Sequence, residues 1–211
     1  MANPCSCRYA FYADNESKSE LLRLYNKLSA IMKPASVVKS SDDPSWLGNV
    51  AIAHDLNMEV IPCRGSIEDL GDYEPSSDFF TLECETAWAP MDKLWETVVA
   101  QYKGIAFVYI AEEPGSDIYT NTDVDGRFFP DRYLLEIWGD ISIPEDWYAG
   151  QQKPDCLDIR EYFSNLDSFM EYCANFTSEK FNTFEEWQYY FSRVFERVGN
   201  VIVGVHEFTP N

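Results

Sequence analysis

The chain has 211 residues, 45% hydrophobic and 16% aromatic, enough to bury one large core or a domain plus an extension. Its 36 Asp and Glu against 16 Lys and Arg give a net charge of −20. Phosphate binding needs clustered basic side chains, and no five-residue window holds such a cluster. The composition therefore argues against direct binding to nucleic acid or to an anionic membrane. It favours a protein partner with a basic surface, a cation, or solubility alone.

In chain order, Arg8 to Tyr12 reads as a first strand, with Asp14 or Asn15 available to cap the helix behind it. Leu21, Leu24, Tyr25, Leu28, Ile31 and Met32 recur at helical spacing until Pro34. Residues 36–44 read as a polar loop, and Trp46, Val50, Ala53 and Leu56 as a short helix. Glu59 to Asp69 and Phe79 to Trp88 read as two strands joined through the turn residues between Gly71 and Asp78. Pro90 suits a helix's first turn. Met91, Leu94, Trp95, Val98 and Tyr102 give that helix one apolar face, and Gly104 stops it. Ile105 to Ala111 is nearly all apolar, as in a strand covered on both faces.

Asp117 to Asn121 and Arg132 to Trp138 read as a further strand pair, with the turn at Asp123-Val124-Asp125-Gly126. Residues 139–154 are rich in Pro, Gly and Asp and mark a boundary. Leu166, Phe169, Met170 and Cys173 then form a short helix with Ser164 as its cap. Thr183 and Glu186 have capping-box spacing before a helix that buries Phe184, Trp187, Phe191, Val194, Phe195 and Val198. Gly199 ends that helix, and Val201 to Phe208 is a last strand.

The order strand, helix, strand, strand, helix, strand over residues 8–111 is the split βαβ pattern. The expected class is α+β, a ferredoxin-like antiparallel sheet with helices on one face, followed by a helix-helix-strand extension. The expected domains are 1–140 and 141–211, the second packed on the first.

Six cysteines (Cys5, Cys7, Cys63, Cys84, Cys156 and Cys173) lack the paired spacing of a zinc site. No signal peptide or apolar run of transmembrane length is visible in the sequence. A reduced cytoplasmic protein with buried thiols is the expectation, with no membrane association and no cofactor.

Thr86-Ala87-Trp88-Ala89-Pro90, the helix after it, and Glu112-Glu113-Pro114-Gly115-Ser116-Asp117 resemble segments of the YubB ferredoxin-like family of plasmid- and phage-encoded bacterial proteins. Arg64-Gly65-Ser66-Ile67 and Asn3-Pro4-Cys5-Ser6 add to it, although the family has Trp where Pro4 stands. The resemblance covers residues 1–140. It implies a ferredoxin-like fold and a mobile-element setting, and it implies no activity.

Read physically, Trp88 caps the core at a strand-to-helix corner. Glu85, Trp88, Glu112, Glu113 and Asp117 form the candidate functional surface, with no catalytic residue assigned. The plain reading of Glu112, Glu113 and Asp117 is a solvated acidic turn. The sharper one is a carboxylate cluster, joined by Glu85, doing metal-assisted chemistry. Asn121, Asp123 and Asp125 imitate part of a calcium loop whose twelfth position is Arg132 instead of Glu. His54 and His206 stand apart from other ligand types, and His206 reads as structural. No phosphate loop, nucleophile elbow or dinucleotide fingerprint is present. The functional expectation is therefore a non-enzymatic interaction protein of mobile-element type. A metal-assisted enzyme is the alternative.

Overall fold

The computed structural model describes residues 3–33, 43–140, 156–198 and 201–210. Strand β1 (Pro4–Ala13) alternates strictly enough that Cys5, Cys7, Tyr9 and Phe11 all point to one face. Helix α1 (Lys18–Met32) covers that face with Leu21, Leu24, Leu28 and Ile31. It starts beyond a turn in which Asp14 accepts the Ser17 amide at 2.9 Å, and Ser17 itself makes no side-chain cap. A short helix α2 (Leu47–Ala53) follows, burying Leu47, Val50 and Ala51.

Strands β2 (Gly65–Leu70) and β3 (Phe79–Ala87) pair antiparallel, with a bulge between Ile67 and Asp69. The expected strand from Glu59 is shorter than its apolar pattern suggested. Residues 59–64 are turn and coil because Asn57 takes the amides of Val60 and Ile61. Helix α3 (Asp92–Val99) buries Leu94, Trp95 and Val98, and β4 (Ile105–Glu113) follows after Gly104 at φ +72°. A 3-10 turn, Pro114–Ser116, leads to β5 (Ile118–Asn121).

These strands make one antiparallel sheet in the order β2-β3-β1-β4-β5. A single core joins its inner face to the three helices. Rings of Tyr9, Phe11, Phe80, Trp95, Phe107 and Tyr109 pack at its centre, with centroids 5.2–6.4 Å apart.

The remaining elements form a second sheet. Strand β6 (Tyr133–Asp140) lies between β7 (Cys156–Phe163) and β8 (Val201–Glu207), both antiparallel to it. Helices α4 (Leu166–Thr177) and α5 (Phe184–Val198) build a separate core with Leu135, Ile137 and Phe163. The strand pair expected of residues 117–121 and 132–138 does not form: β5 pairs with β4, and β6 with β7 and β8. The two compact units accordingly divide at 123/124 and not at 140/141. The C-terminal part is strand-strand-helix-helix-strand, with β7 the strand that the sequence reading missed. Asn165, not Ser164, caps α4, accepting the Ser168 amide at 2.9 Å. The polar loop at 36–44 lies largely outside the described residues, as do the boundary segment 141–155 and Gly199. Among the described residues, no helix is long and apolar enough to cross a membrane.

Candidate functional site at one end and one face of the first sheet

Four sequence segments far apart in the chain meet at one end of the first sheet. That end gathers the starts of β1, β2 and β5 with the ends of β3 and β4. The Trp88 amide donates to the Asn3 carbonyl at 2.9 Å, and the Ala87 amide to the Arg64 carbonyl at 3.1 Å. Thr86 Oγ1 donates to the Ala89 carbonyl at 2.9 Å, which fixes the corner into α3. Gly115 lies so close to the Asn3 amide that a Cβ would stand 2.2 Å from it.

Trp88 does not cap the core there. It is 46% exposed at a positive φ of 76°, and the buried tryptophan of this region is Trp95. A bulky residue in the left-handed region is strained, so the surrounding turn dictates its conformation.

The paired glutamates part company because successive strand residues face opposite ways. Glu113 sits on the inner side, 1% exposed, with Oε1 accepting the Gly115 amide at 2.9 Å. The neighbouring Ser116 hydroxyl, then the amides of Gly115 and Ser116 and the Asn3 side chain, hold its carboxyl below the usual range despite burial. Glu112 faces outward and is 9% exposed. Neither belongs to a solvated turn, and only Asp117, left-handed at φ 54°, is exposed.

The outward face is read directly from the strand register. Ser6 lies opposite Glu85 on β3 and Glu112 on β4, while Ser66 flanks Glu85 and Tyr119 flanks Glu112. Glu85 and Glu112 thus share a row, two strand spacings or about 10 Å apart. The next row runs Asp69, Glu83, Arg8, Ile110, Asn121. Glu68 belongs to the same side, its Oε1 accepting the Ser66 hydroxyl at 2.6 Å. The β2–β3 half of this face is exposed, whereas Ile110, Glu112, Tyr119 and Asn121 on the other half are buried. Among the described residues of the face, Arg8 is the one cation. The structure therefore puts Glu85 and Glu112 on one face of the sheet and Glu113 on the other. The run of acids from Glu68 to Glu85 is legible in the sequence as a candidate negative face of the hairpin, whereas Arg8, brought in from β1 opposite Glu83, is not.

Beneath the sheet end, on the inner side, Cys5 and Cys7 have their sulfurs 3.6 Å apart, and Thr86 Oγ1 stands 3.6 Å from Cys7 Sγ. The hydrogen bond to Cys7 draws the Cys5 thiol below its ordinary range. The same contact and burial push Cys7 above it, and burial raises Cys84. All three are buried, which marks them as packing groups, because reactive thiols need access. Cys5, Cys7, Cys63, Cys84 and Cys173 are free thiols.

Asn121 and Asp123 are buried and Asp125 is exposed. Asn121 Oδ1 accepts the Asp123 amide at 2.9 Å, an Asx turn. Arg132, standing where a calcium loop has Glu, donates to the carbonyls of Phe129 and Asp131 at 2.9 Å and of Val124 at 3.2 Å. The loop thus carries its own cation. Among the described residues, no group of three His, Cys, Asp or Glu is arranged to hold a metal.

In the second unit, Glu136 pairs with Arg160 at 2.8 Å, and His206 Nε2 lies 3.9 Å from its other oxygen. Gly204 leaves room for that imidazole, since a Cβ there would lie 2.5 Å from Nε2. His206 thus stands beside the Glu136–Arg160 ion pair on the sheet face opposite the helices. The only sequence signal was its alternation with Gly204 along the last strand.

Comparison of the chain with protein-family models, with curated proteins and with solved structures finds no match.

Proposed function

We propose that this chain is a non-enzymatic interaction protein that binds a protein partner through a basic surface on that partner. The observation that carries the reading is the exposed β2–β3 half of the outward face. There Glu68, Asp69, Glu83 and Glu85 stand in adjacent rows with Arg8 as their neighbour. Like charges opposite each other on paired strands, such as Asp69 and Glu83, cost stability in the free protein. A partner's Lys and Arg relieve that repulsion on binding, and the −20 charge steers such a partner in. Nucleic-acid phosphates meet the opposite of what they need.

The strand order β2-β3-β1-β4, reached by the sequence strand, two helices, strand, strand, helix, strand, supports a ferredoxin-like assignment with α2 inserted after α1 and β5 added at one edge. The YubB-like, mobile-element setting is proposed on the sequence resemblance of four segments alone, which the fold brings to one sheet end. The buried free thiols support a reducing, cytoplasmic setting. The metal-assisted alternative loses its basis in sequence, because Glu112 and Glu113 face opposite sides of β4.

Affinity capture from host-cell lysate tests the proposal, with the wild-type chain and Glu83→Lys/Glu85→Lys immobilised side by side. The wild type retains one or more basic proteins at low salt, and the charge-reversed chain does not. Equal capture by both chains, or none by the wild type, refutes it.

A further inference from the structure

Strand β4 is longer than the strand that pairs with its outer edge. Strand β5 covers only Ile110 to Glu113, and Thr122 extends that cover to Tyr109. The Tyr109 amide donates to Thr122 Oγ1 at 2.8 Å and its carbonyl accepts the Thr122 amide at 2.9 Å, so both backbone groups of Tyr109 face this edge. Alternate residues of a strand face the same edge, which turns the amides and carbonyls of Phe107 and Ile105 the same way. Ala106 and Val108 face β1, opposite Tyr12 and Ala10. Among the described residues nothing pairs with the outer backbone groups of Ile105 and Phe107. Beside this open edge, the C-terminal end of α3 and the start of β4 enclose a shallow groove of about 410 Å³. Its walls are chiefly apolar: Val99 and Ala100 on one side, Ile105 and Phe107 on the other, with Tyr102 at the base and Glu96 at the rim.

We infer that this edge and groove take an extended segment of the basic partner, added as a further strand beside β4. Main-chain hydrogen bonds to Ile105 and Phe107 supply pairing, and every second side chain of the segment reaches the groove. An unpaired edge is otherwise a hazard that folds cover or charge, and Ile105 to Val108 carry no charge at all. A second copy of this chain brings another −20 charge to the same edge, so self-pairing is repelled where a basic segment is attracted. This inference rests on the basic-partner reading and adds where the partner's backbone sits.

The test uses the full chain and a decapeptide of alternating valine and lysine, followed by amide hydrogen exchange and chemical shifts. The peptide slows exchange of the Ile105 and Phe107 amides at least tenfold. Ala100→Trp fills the groove from an exposed position and lowers peptide affinity at least tenfold, with thermal unfolding unchanged. The same peptide N-methylated at every amide binds at least tenfold more weakly. If peptide shifts fall only on Gly65–Leu70 and Phe79–Ala87 and Ala100→Trp binds normally, this inference fails while the acidic-face reading stands. Equal binding of the N-methylated peptide, or no binding of either at millimolar concentration, also overturns it.

Discussion

At Gly65 the chain enters β2 with φ +152°, and an added Cβ would lie 2.4 Å from the Glu85 carbonyl and 2.8 Å from Thr86 Cα. Both obstacles are backbone, so they do not yield as a flexible side chain would. Gly65→Ala is expected to cost about 1–3 kcal/mol, measured as a lowered urea midpoint with unchanged slope. His54 makes a second residue-level case. It is 2% exposed, and Nδ1 lies 2.8 Å from the Val50 carbonyl, which only accepts, so Nδ1 carries the proton. Nε2 then accepts the Tyr102 hydroxyl at 2.9 Å, and the ring is neutral. Burial holds its pKa down to about 4 from an ordinary 6.5. The unfolded chain takes up a proton below pH 6.5 that the folded chain refuses until about pH 4. Its contribution is therefore complete above pH 6.5 and is lost as pH falls through that window. The loss reaches about 2 kcal/mol by pH 5. Urea unfolding at pH 7 and pH 5 checks this: the difference shrinks by about that amount in His54→Gln. If the difference is the same in both proteins, His54 is not the titrating group.

At the scale of elements, helices announced themselves better than strands because their caps and periodicity are local. The Thr183–Glu186 box forms as the spacing predicts: Thr183 Oγ1 takes the Glu186 amide at 3.2 Å, and Glu186 Oε2 takes those of Asn182 and Thr183 at 2.8 and 3.2 Å. Thr183→Ala is expected to cost about 1 kcal/mol, read from the denaturation midpoint. Strand pairing is not local, and the errors lie there. Four-residue β5 and eight-residue β6 are neighbours in sequence with a turn between them, yet each finds partners elsewhere. Strand β7 carries Asp158, Arg160 and Glu161 among its apolar residues, so its alternation was masked by charge. The divergence of Glu112 and Glu113 was available in the sequence. Extending the apolar strand two residues past Ala111 puts them on opposite faces by period alone.

For the molecule as a whole, the sequence stated how acidic the chain is but not where the acid lies. Glu68, Asp69, Glu83 and Glu85 come from two strands and become one surface only through the β2–β3 register. Arg8 enters it from a third strand, more than fifty residues away in the chain. The same topology draws Asn3, Arg64, Trp88 and Asp117 to one sheet end, which no local signal predicts. Charge placed on a register in this way makes binding depend on position as well as on total charge, and a single measurement separates the two. The affinity of the captured basic partner is compared between the full wild-type chain and Glu83→Lys/Glu85→Lys over a range of salt, with a control reversing two exposed glutamates in and just after α4, Glu171→Lys/Glu179→Lys. Reversal on β3 is expected to lower affinity at least tenfold and flatten the salt dependence, while reversal at α4 changes little. Equal losses in the two variants, or none in the first, would contradict it.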